Sequence, residues 1–213
     1  MSKDLNYRYS EKEEWLNIIT HAFGLLSSCI ALPLLIYKSF DYEGFWKPAS
    51  LVIYGVSLIV LYAASTFYHS AKDPKQRRKL NILDHAAIYV LIAGTYTPFS
   101  LIVLAGSLGW CLFIFTWTFA LIGIILKLFY TGRFEKLSTI IYVLMGWQII
   151  FAINPLMEKF PIQGVKLLFL GGIFYTLGAL MYLIKKINYN HAIFHVFVLL
   201  GSFCHFLSVY SFF

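Results

Sequence analysis

The sequence predicts an all-α polytopic membrane protein, a bundle of seven transmembrane helices, and three observations support that prediction. The mean hydropathy is +0.73, 60% of the 213 residues are hydrophobic and only 13% are charged. Seven apolar stretches each approach the ~20 residues that a helix needs to cross a bilayer core about 30 Å thick. Backbone groups inside lipid must be satisfied within the segment, which favours helices over open strands.

The apolar stretches follow one another with short connections, so we expect a single domain over residues 1–213. In chain order they are Ile18–Tyr37, Pro48–His69, Ile82–Leu104, Leu108–Leu126, Leu137–Leu156, Leu167–Ile184 and Ile187–Phe213. The first stretch follows three glutamates, Glu11, Glu13 and Glu14, and lacks a small-residue cleavage site. It is therefore predicted to be a span and not a removable signal peptide.

The five spans between the first and the last differ in the residues that are expected to determine helix packing. The second span ends in His69, and the third contains Asp84 near its start and the run Ala93–Pro98. Small residues in that run let helices approach closely, and its proline kinks or ends the regular helix. Apart from the cluster of polar residues described below, no span contains a repeating polar stripe of the kind that lines an aqueous channel, so a pore is not predicted. The sixth contains glycines at 171–172, which also favour close packing.

The basic residues predict the orientation of the bundle. The net charge is +7, and 13 of the 17 Lys and Arg residues fall in the N-terminal segment and in alternate loops on its side. The positive-inside rule then places the N-terminus in the cytoplasm and the C-terminus outside, in the cell (inner) membrane. The run Lys75–Lys79 is predicted to lie against anionic lipid headgroups, so membrane lipids and not nucleic acids are the expected partners.

With this orientation, polar residues from three spans share one depth near the cytoplasmic face. They are His69 at the end of the second span, Asp84 in the third, and His191 and His195 at the start of the seventh. Ser65 precedes His69 by four residues and shares its helix face. Polar groups at membrane depth are costly and need a partner. Three histidines and one acid are what a zinc ion requires, so we predict a metal site.

Each of these signals has a simpler interpretation when taken alone. A His-x-x-x-His pair such as His191 and His195 can hydrogen-bond a neighbouring helix. His69 can be interfacial, and Asp84 can cap the N-terminus of its helix. Only the combination favours a metal.

His85 and His205 are not predicted to bind the metal. His85 is expected to face away from Asp84. His205 lies fourteen residues beyond His191, roughly 21 Å further along a helix, and is expected to form a hydrogen bond in the interior. The three cysteines are expected to be small packing residues, because their spacing matches neither a metal site nor a disulfide framework.

Glu14, Asn17 and His21 form one stripe at the start of the first span, with spacing i, i+3 and i+7. Two interpretations remain open for this stripe. It is either an interfacial capping cluster or a set of groups that act on the site, directly or as hydrogen-bonding neighbours of the ligands.

The motifs Ser65-x-x-x-His69, Asp84 and His191-x-x-x-His195 together resemble the hemolysin III family. That family belongs with the progestin and adipoQ receptors and, more distantly, with alkaline ceramidases. The segment Glu14-x-x-Asn17-x-x-Thr20-His21 and the run Ala93–Pro98 are similar to its bacterial branch. The resemblance covers the chain from about Glu13 to Phe206.

The resemblance implies a seven-helix fold with Zn²⁺ held by His69, His191 and His195. Asp84 would hold a water on the ion or lie just outside its ligands, and Ser65 would be a hydrogen-bonding neighbour. Zinc lowers the pKa of such a water to about 7. Asp84 would then act as general base and acid, and Ser65 would donate to a developing oxyanion. The predicted activity is zinc-dependent hydrolysis of a lipid amide, as in ceramidases.

Two predicted functions do not need catalysis. One is cytolysis or membrane homeostasis, as the family name suggests. The other is a receptor or sensor in which zinc is structural and joins the second span to the seventh. Direct ligation by Asp84 would complete the coordination sphere and favour the structural role.

Overall fold

The computed structural model describes residues 9–213, so Lys3 and Arg8 of the charge count lie outside the described residues. Within 9–213, seven helices are long and apolar enough to cross a membrane, which confirms the predicted seven-helix architecture. They are α1 (Glu11–Ser39), α2 (Trp46–Ser70), α3 (Pro74–Val103), α4 (Gly106–Tyr130), α5 (Glu135–Lys159), α6 (Ile162–Leu183) and α7 (Asn190–Phe212).

The helix α3 begins well before the apolar stretch at Ile82. Its N-cap is Asp73, whose carboxylate accepts a hydrogen bond from the Gln76 backbone N–H at 2.7 Å, and Pro74 occupies the first turn. Both features are typical of helix starts. Asp84 therefore lies almost three turns inside α3, and its interpretation as an N-cap is wrong.

Two of the spans are interrupted. In α3 the α-helix runs to Pro98 and continues as a π-helical turn over Phe99–Val103, in agreement with the predicted loss of regularity. In α5 a 3₁₀ segment separates two α-helical parts, which the sequence analysis did not predict. Tyr96 bridges this second break, because its hydroxyl donates to the Gly146 carbonyl at 2.7 Å and accepts from the Ile149 N–H at 2.9 Å.

The bundle directs its large apolar side chains outward and many polar ones inward. Phe23, Phe129 and Phe151 are more than half exposed, as expected for side chains that face lipid. Asn17, Ser65 and His195 are almost completely buried. The closest packing joins α1 with α2, α2 with α3, and α6 with α7, whereas α5 packs loosely against α3 and α6. This arrangement leaves a cavity beside α5.

Candidate metal centre

Three histidines from two helices converge on one point inside the bundle. Nε2 of His191 lies 3.2 Å from Nε2 of His69 and 3.1 Å from Nε2 of His195. All three residues are buried, and their ligand atoms lie within 4.8 Å of one another. The group comes from the end of α2 and the start of α7, where the sequence analysis placed it.

The spacing of these nitrogen atoms fits a tetrahedral metal ion. Zinc–nitrogen bonds of about 2.0–2.1 Å at tetrahedral angles place two ligand nitrogens about 3.3 Å apart. The observed separations of 3.1 and 3.2 Å are close to that value. The three buried histidines can therefore bind a metal ion.

Hydrogen bonds at the outer ring nitrogens fix the tautomer of two of the histidines. Nδ1 of His69 lies 2.6 Å from a Glu14 carboxylate oxygen. Nδ1 of His195 lies 3.3 Å from the Asn17 carbonyl and 3.3 Å from the Thr20 hydroxyl, whose hydrogen is donated to backbone carbonyls. These partners are acceptors, so both Nδ1 atoms carry the hydrogen and both Nε2 atoms present a lone pair. Histidines that bind metals are oriented in this way.

The first turns of α1 supply most of these acceptors. Ser10 caps the helix by accepting from the Glu13 N–H at 3.3 Å, so α1 begins before its apolar stretch. Glu13 accepts from the His191 backbone N–H at 3.3 Å, and Glu14 contacts His69. Of the two interpretations left open for the stripe, the contacts of Glu14 and Asn17 favour hydrogen-bonding neighbours of the candidate ligands. His21 instead stacks on His195, and neither of its ring nitrogens has a hydrogen-bond partner among the described residues.

Arg77 is a site residue that the sequence analysis missed. It forms an ion pair with Glu14, and its guanidinium lies 3.3–3.5 Å from the Tyr68, His69 and Ala71 carbonyls at the end of α2. The prediction that the whole run Lys75–Lys79 faces lipid headgroups is therefore wrong at Arg77, which turns inward. From the sequence, Arg77 is one of several basic residues between two spans and looks like a surface anchor. Only the folded chain brings the Glu14 carboxylate beside it.

Aromatic rings enclose the histidines. His21 stacks on His195 with ring centroids 3.5 Å apart, and Tyr9 stacks on His191 at 4.6 Å. The stacking of Tyr9 was not predicted, because no motif in the sequence distinguishes Tyr9 from the other tyrosines. These rings restrict how the ligand side chains can rotate.

A cavity of about 150 Å³ opens beside the histidines. Its walls include His191 and His195 together with Ser65 and Asp84. Ser65 is 1% exposed and its hydroxyl has no hydrogen-bond partner among the described residues. Asp84 is not a member of the three-histidine group, so it lines the cavity without joining the convergent nitrogens.

His85 and His205 are not part of the convergent histidine group. His85 lines the cavity, with Nδ1 2.8 Å from the Asn81 carbonyl and 3.7 Å from the Asp84 carboxylate, which corrects the expectation that it faces away from Asp84. His205 is buried, and its Nε2 lies 2.9 Å from the Leu168 carbonyl, as expected of an interior hydrogen-bonding histidine.

Comparison with known proteins agrees with the resemblance noted in the motifs. Residues 9–206 match the family described as haemolysin-III related. This chain belongs to that family. The Hemolysin-3 homolog of Bacillus subtilis (strain 168) is 48% identical over 194 residues, which cover 91% of each chain. Hemolysin-3 of Bacillus cereus is 49% identical over 191 residues, which cover 90% of this chain and 87% of the relative.

A more distant relative comes from a mammal. The monocyte to macrophage differentiation factor of Homo sapiens is 26% identical over 97% of this chain and 87% of its own length. No solved structure is significantly similar to the chain. The family and the seven apolar helices together identify a multi-pass integral membrane protein of the hemolysin III family.

Proposed function

We propose that this hemolysin III-family protein holds Zn²⁺ at His69, His191 and His195 and hydrolyses the amide bond of a membrane lipid. The observation that carries the proposal is the convergence of three Nε2 atoms beside a cavity that contains an unpartnered serine and a carboxylate. A metal site that only cross-links helices does not require a cavity beside it. When bound, zinc would act as a Lewis acid and lower the pKa of a coordinated water toward 7.

The side chains in the cavity have distinct parts in this reaction. Asp84 accepts a proton from the attacking water and returns it to the departing amine. Ser65 donates its hydroxyl hydrogen to the carbonyl oxygen as negative charge develops there. The carbon–nitrogen bond breaks, and the products are a fatty acid and an amine. Ser65 is suited to its part, because its hydroxyl has no partner among the described residues.

The remaining walls of the cavity support a lipid substrate. Apolar side chains dominate, among them Leu61, Ile88 and Val198. The cavity runs from His191 to His205, fourteen residues along α7 or about 21 Å. That length is more than half of a hydrocarbon core about 30 Å thick. The orientation from the positive-inside rule, with the N-terminus in the cytoplasm, would open the site toward the inner leaflet.

The alternative is a receptor or sensor in which zinc is structural. It is favoured by the way the ligands join α2 and α7 while Glu13, Glu14 and Asn17 attach α1 to them. A metal at this point would hold three helices together. The names of the Bacillus relatives add a third possibility, lysis of red blood cells, for which purified protein and erythrocytes provide a direct assay.

Metal analysis and a lipid assay on the same preparation test the proposal. We expect one zinc per chain in detergent and release of fatty acid from an N-acyl lipid, with release abolished in Asp84→Asn. Zinc without turnover on a panel of N-acyl lipids would favour the structural role. A folded protein that binds no zinc would overturn the proposal.

A further inference from the structure

The far end of the cavity contains a second polar group of residues, separate from the candidate metal centre. His205, which is 8% exposed, lines both the main cavity and a smaller space of about 30 Å³. His205 is about 21 Å from His191 along α7, so it lies deep among the spans. Polar groups at such depth are costly and mark functional sites.

The hydrogen bond of His205 shows which of its two ring nitrogens lacks a hydrogen-bond partner. Its Nε2 lies 2.9 Å from the Leu168 carbonyl, which can only accept, so Nε2 carries the hydrogen and Nδ1 is a bare acceptor. Nδ1 is buried and has no partner among the described residues. Gly171 gives the ring its position, because a Cβ there would collide with it. The ring is thus fixed with an unmatched acceptor.

The neighbouring hydroxyl groups have one hydrogen that lacks an acceptor. The Tyr62 hydroxyl donates to Ser202 Oγ at 2.7 Å, and Ser202 Oγ lies 2.7 Å from the Tyr175 hydroxyl. Three hydroxyl groups carry three hydrogens, and these two contacts use two of them. The surplus hydrogen belongs to Tyr175 or Ser202. Tyr175 lines the cavity, and its ring centroid is 5.3 Å from that of His205.

The other hydroxyl groups at this end of the cavity have already used their hydrogens. Thr95 donates to the Leu91 carbonyl, Tyr96 to Gly146 and Thr176 to Gly172. Thr176 also accepts from the Trp147 indole N–H at 2.9 Å. What remains for a ligand is one acceptor on His205 and one donor from Tyr175 and Ser202.

We propose that the deep end of the cavity binds a hydroxyl group carried on the hydrophobic chain of a lipid. A hydroxyl both donates and accepts, so it can donate to His205 Nδ1 and accept from Tyr175. A chain that ends in a methyl group would leave both groups unmatched or displace a water without replacing its hydrogen bonds. The inference rests on the proposed entry of a lipid chain into the cavity, and it does not depend on hydrolysis.

Fatty acids without a scissile bond test this inference independently of turnover. The full chain in detergent, loaded with zinc, is titrated with palmitate, with palmitate hydroxylated on its terminal carbon and with palmitate hydroxylated beside the carboxylate. Displacement of a fluorescent fatty acid gives the affinities. Two net hydrogen bonds predict that the terminal hydroxyl tightens binding at least about fivefold. The hydroxyl beside the carboxylate should give no such gain.

Three variants show whether the gain comes from the deep end. His205→Phe and Tyr175→Phe should bring the ratio of affinities for hydroxylated and plain palmitate close to one. Tyr89→Phe is the matched control, because Tyr89 is buried and packs against Tyr142, yet it does not line the cavity. It should keep the ratio. A variant that no longer binds metal is taken to be misfolded. Ser202→Ala is then measured in place of that variant.

Equal wild-type affinities for palmitate and its terminally hydroxylated form would overturn the inference. So would a preference that survives in both His205→Phe and Tyr175→Phe. A preference that behaves as expected in a protein that hydrolyses no lipid amide would leave the inference standing and remove only the proposed activity.

Discussion

Glu14 and His69 are 55 positions apart in the chain, and their side chains meet at 2.6 Å in the bundle. One carboxylate oxygen of Glu14 accepts from Nδ1 of His69, and the other pairs with Arg77. The Nε2 atom of His69 is thereby directed toward Nε2 of His191. This chain of contacts joins the first turn of α3 to the candidate metal centre through α1.

Replacing Glu14 should weaken metal binding without removing any ligand. Glu14→Ala leaves His69 Nδ1 without its acceptor, so the ring is free to change tautomer and rotate. Loss of such a partner typically costs 10–100-fold in metal affinity. Competition between the protein and a chelator for zinc measures the change. Glu11→Ala, at an exposed position in the same helical turn, is the control and should bind zinc as the wild type does.

Arg77→Ala should lower both zinc affinity and thermal stability. The guanidinium holds the Glu14 carboxylate and satisfies carbonyls at the end of α2, where a positive charge also complements the helix dipole. The neighbouring Arg78 is exposed, so Arg78→Ala should change neither quantity. Equal effects of the two substitutions on melting temperature and zinc competition would contradict the assigned position of Arg77.

His191→Ala and His195→Ala should abolish zinc binding and the stabilisation that zinc provides. A ligand at a thousandfold excess over its dissociation constant stabilises the native state by about 4 kcal/mol. Zinc should therefore raise the melting temperature of the wild type but not of these variants. His85→Ala and His205→Phe should retain one zinc per chain. Loss of zinc in either one would show that the three-histidine assignment is incomplete.

Asp84→Asn separates catalysis from metal binding. Asp84 lines the cavity but is not part of the convergent histidine group, so the amide should keep the zinc content of the wild type. It cannot accept a proton, and release of fatty acid should stop. If the variant loses zinc instead, Asp84 is itself a ligand and the structural role of the metal becomes the better explanation.

The prediction that the N-terminus is cytoplasmic can be tested by labelling single cysteines in intact cells. In a background without the native cysteines, Asp41→Cys in the loop after α1 should react with a membrane-impermeant maleimide. Lys72→Cys in the loop after α2 should react only after permeabilisation. The opposite pattern would reverse the orientation and place the candidate metal centre near the outer face.

The location of the three candidate ligands was predictable, because charge asymmetry and span order place the end of the second helix and the start of the seventh at one depth. His191 and His195 also share a face by their spacing alone. The roles of Arg77 and Tyr9 were not predictable. Nothing in the composition of a basic loop or in a single tyrosine distinguishes an inward-facing side chain from a surface one.

The sequence by itself determined the seven helices and their order, because apolar runs of bilayer length leave a chain no other way to satisfy its backbone inside lipid. It also singled out Ser65, His69, His191 and His195 as polar residues that need a partner within the spans, and all four are buried. Only the tertiary structure decided their partners. Contacts such as Glu14 with His69, or Tyr175 with Ser202, depend on how each helix is rotated about its axis and packed against its neighbours. Many weak contacts across the whole bundle set that rotation and packing, and no local pattern encodes them.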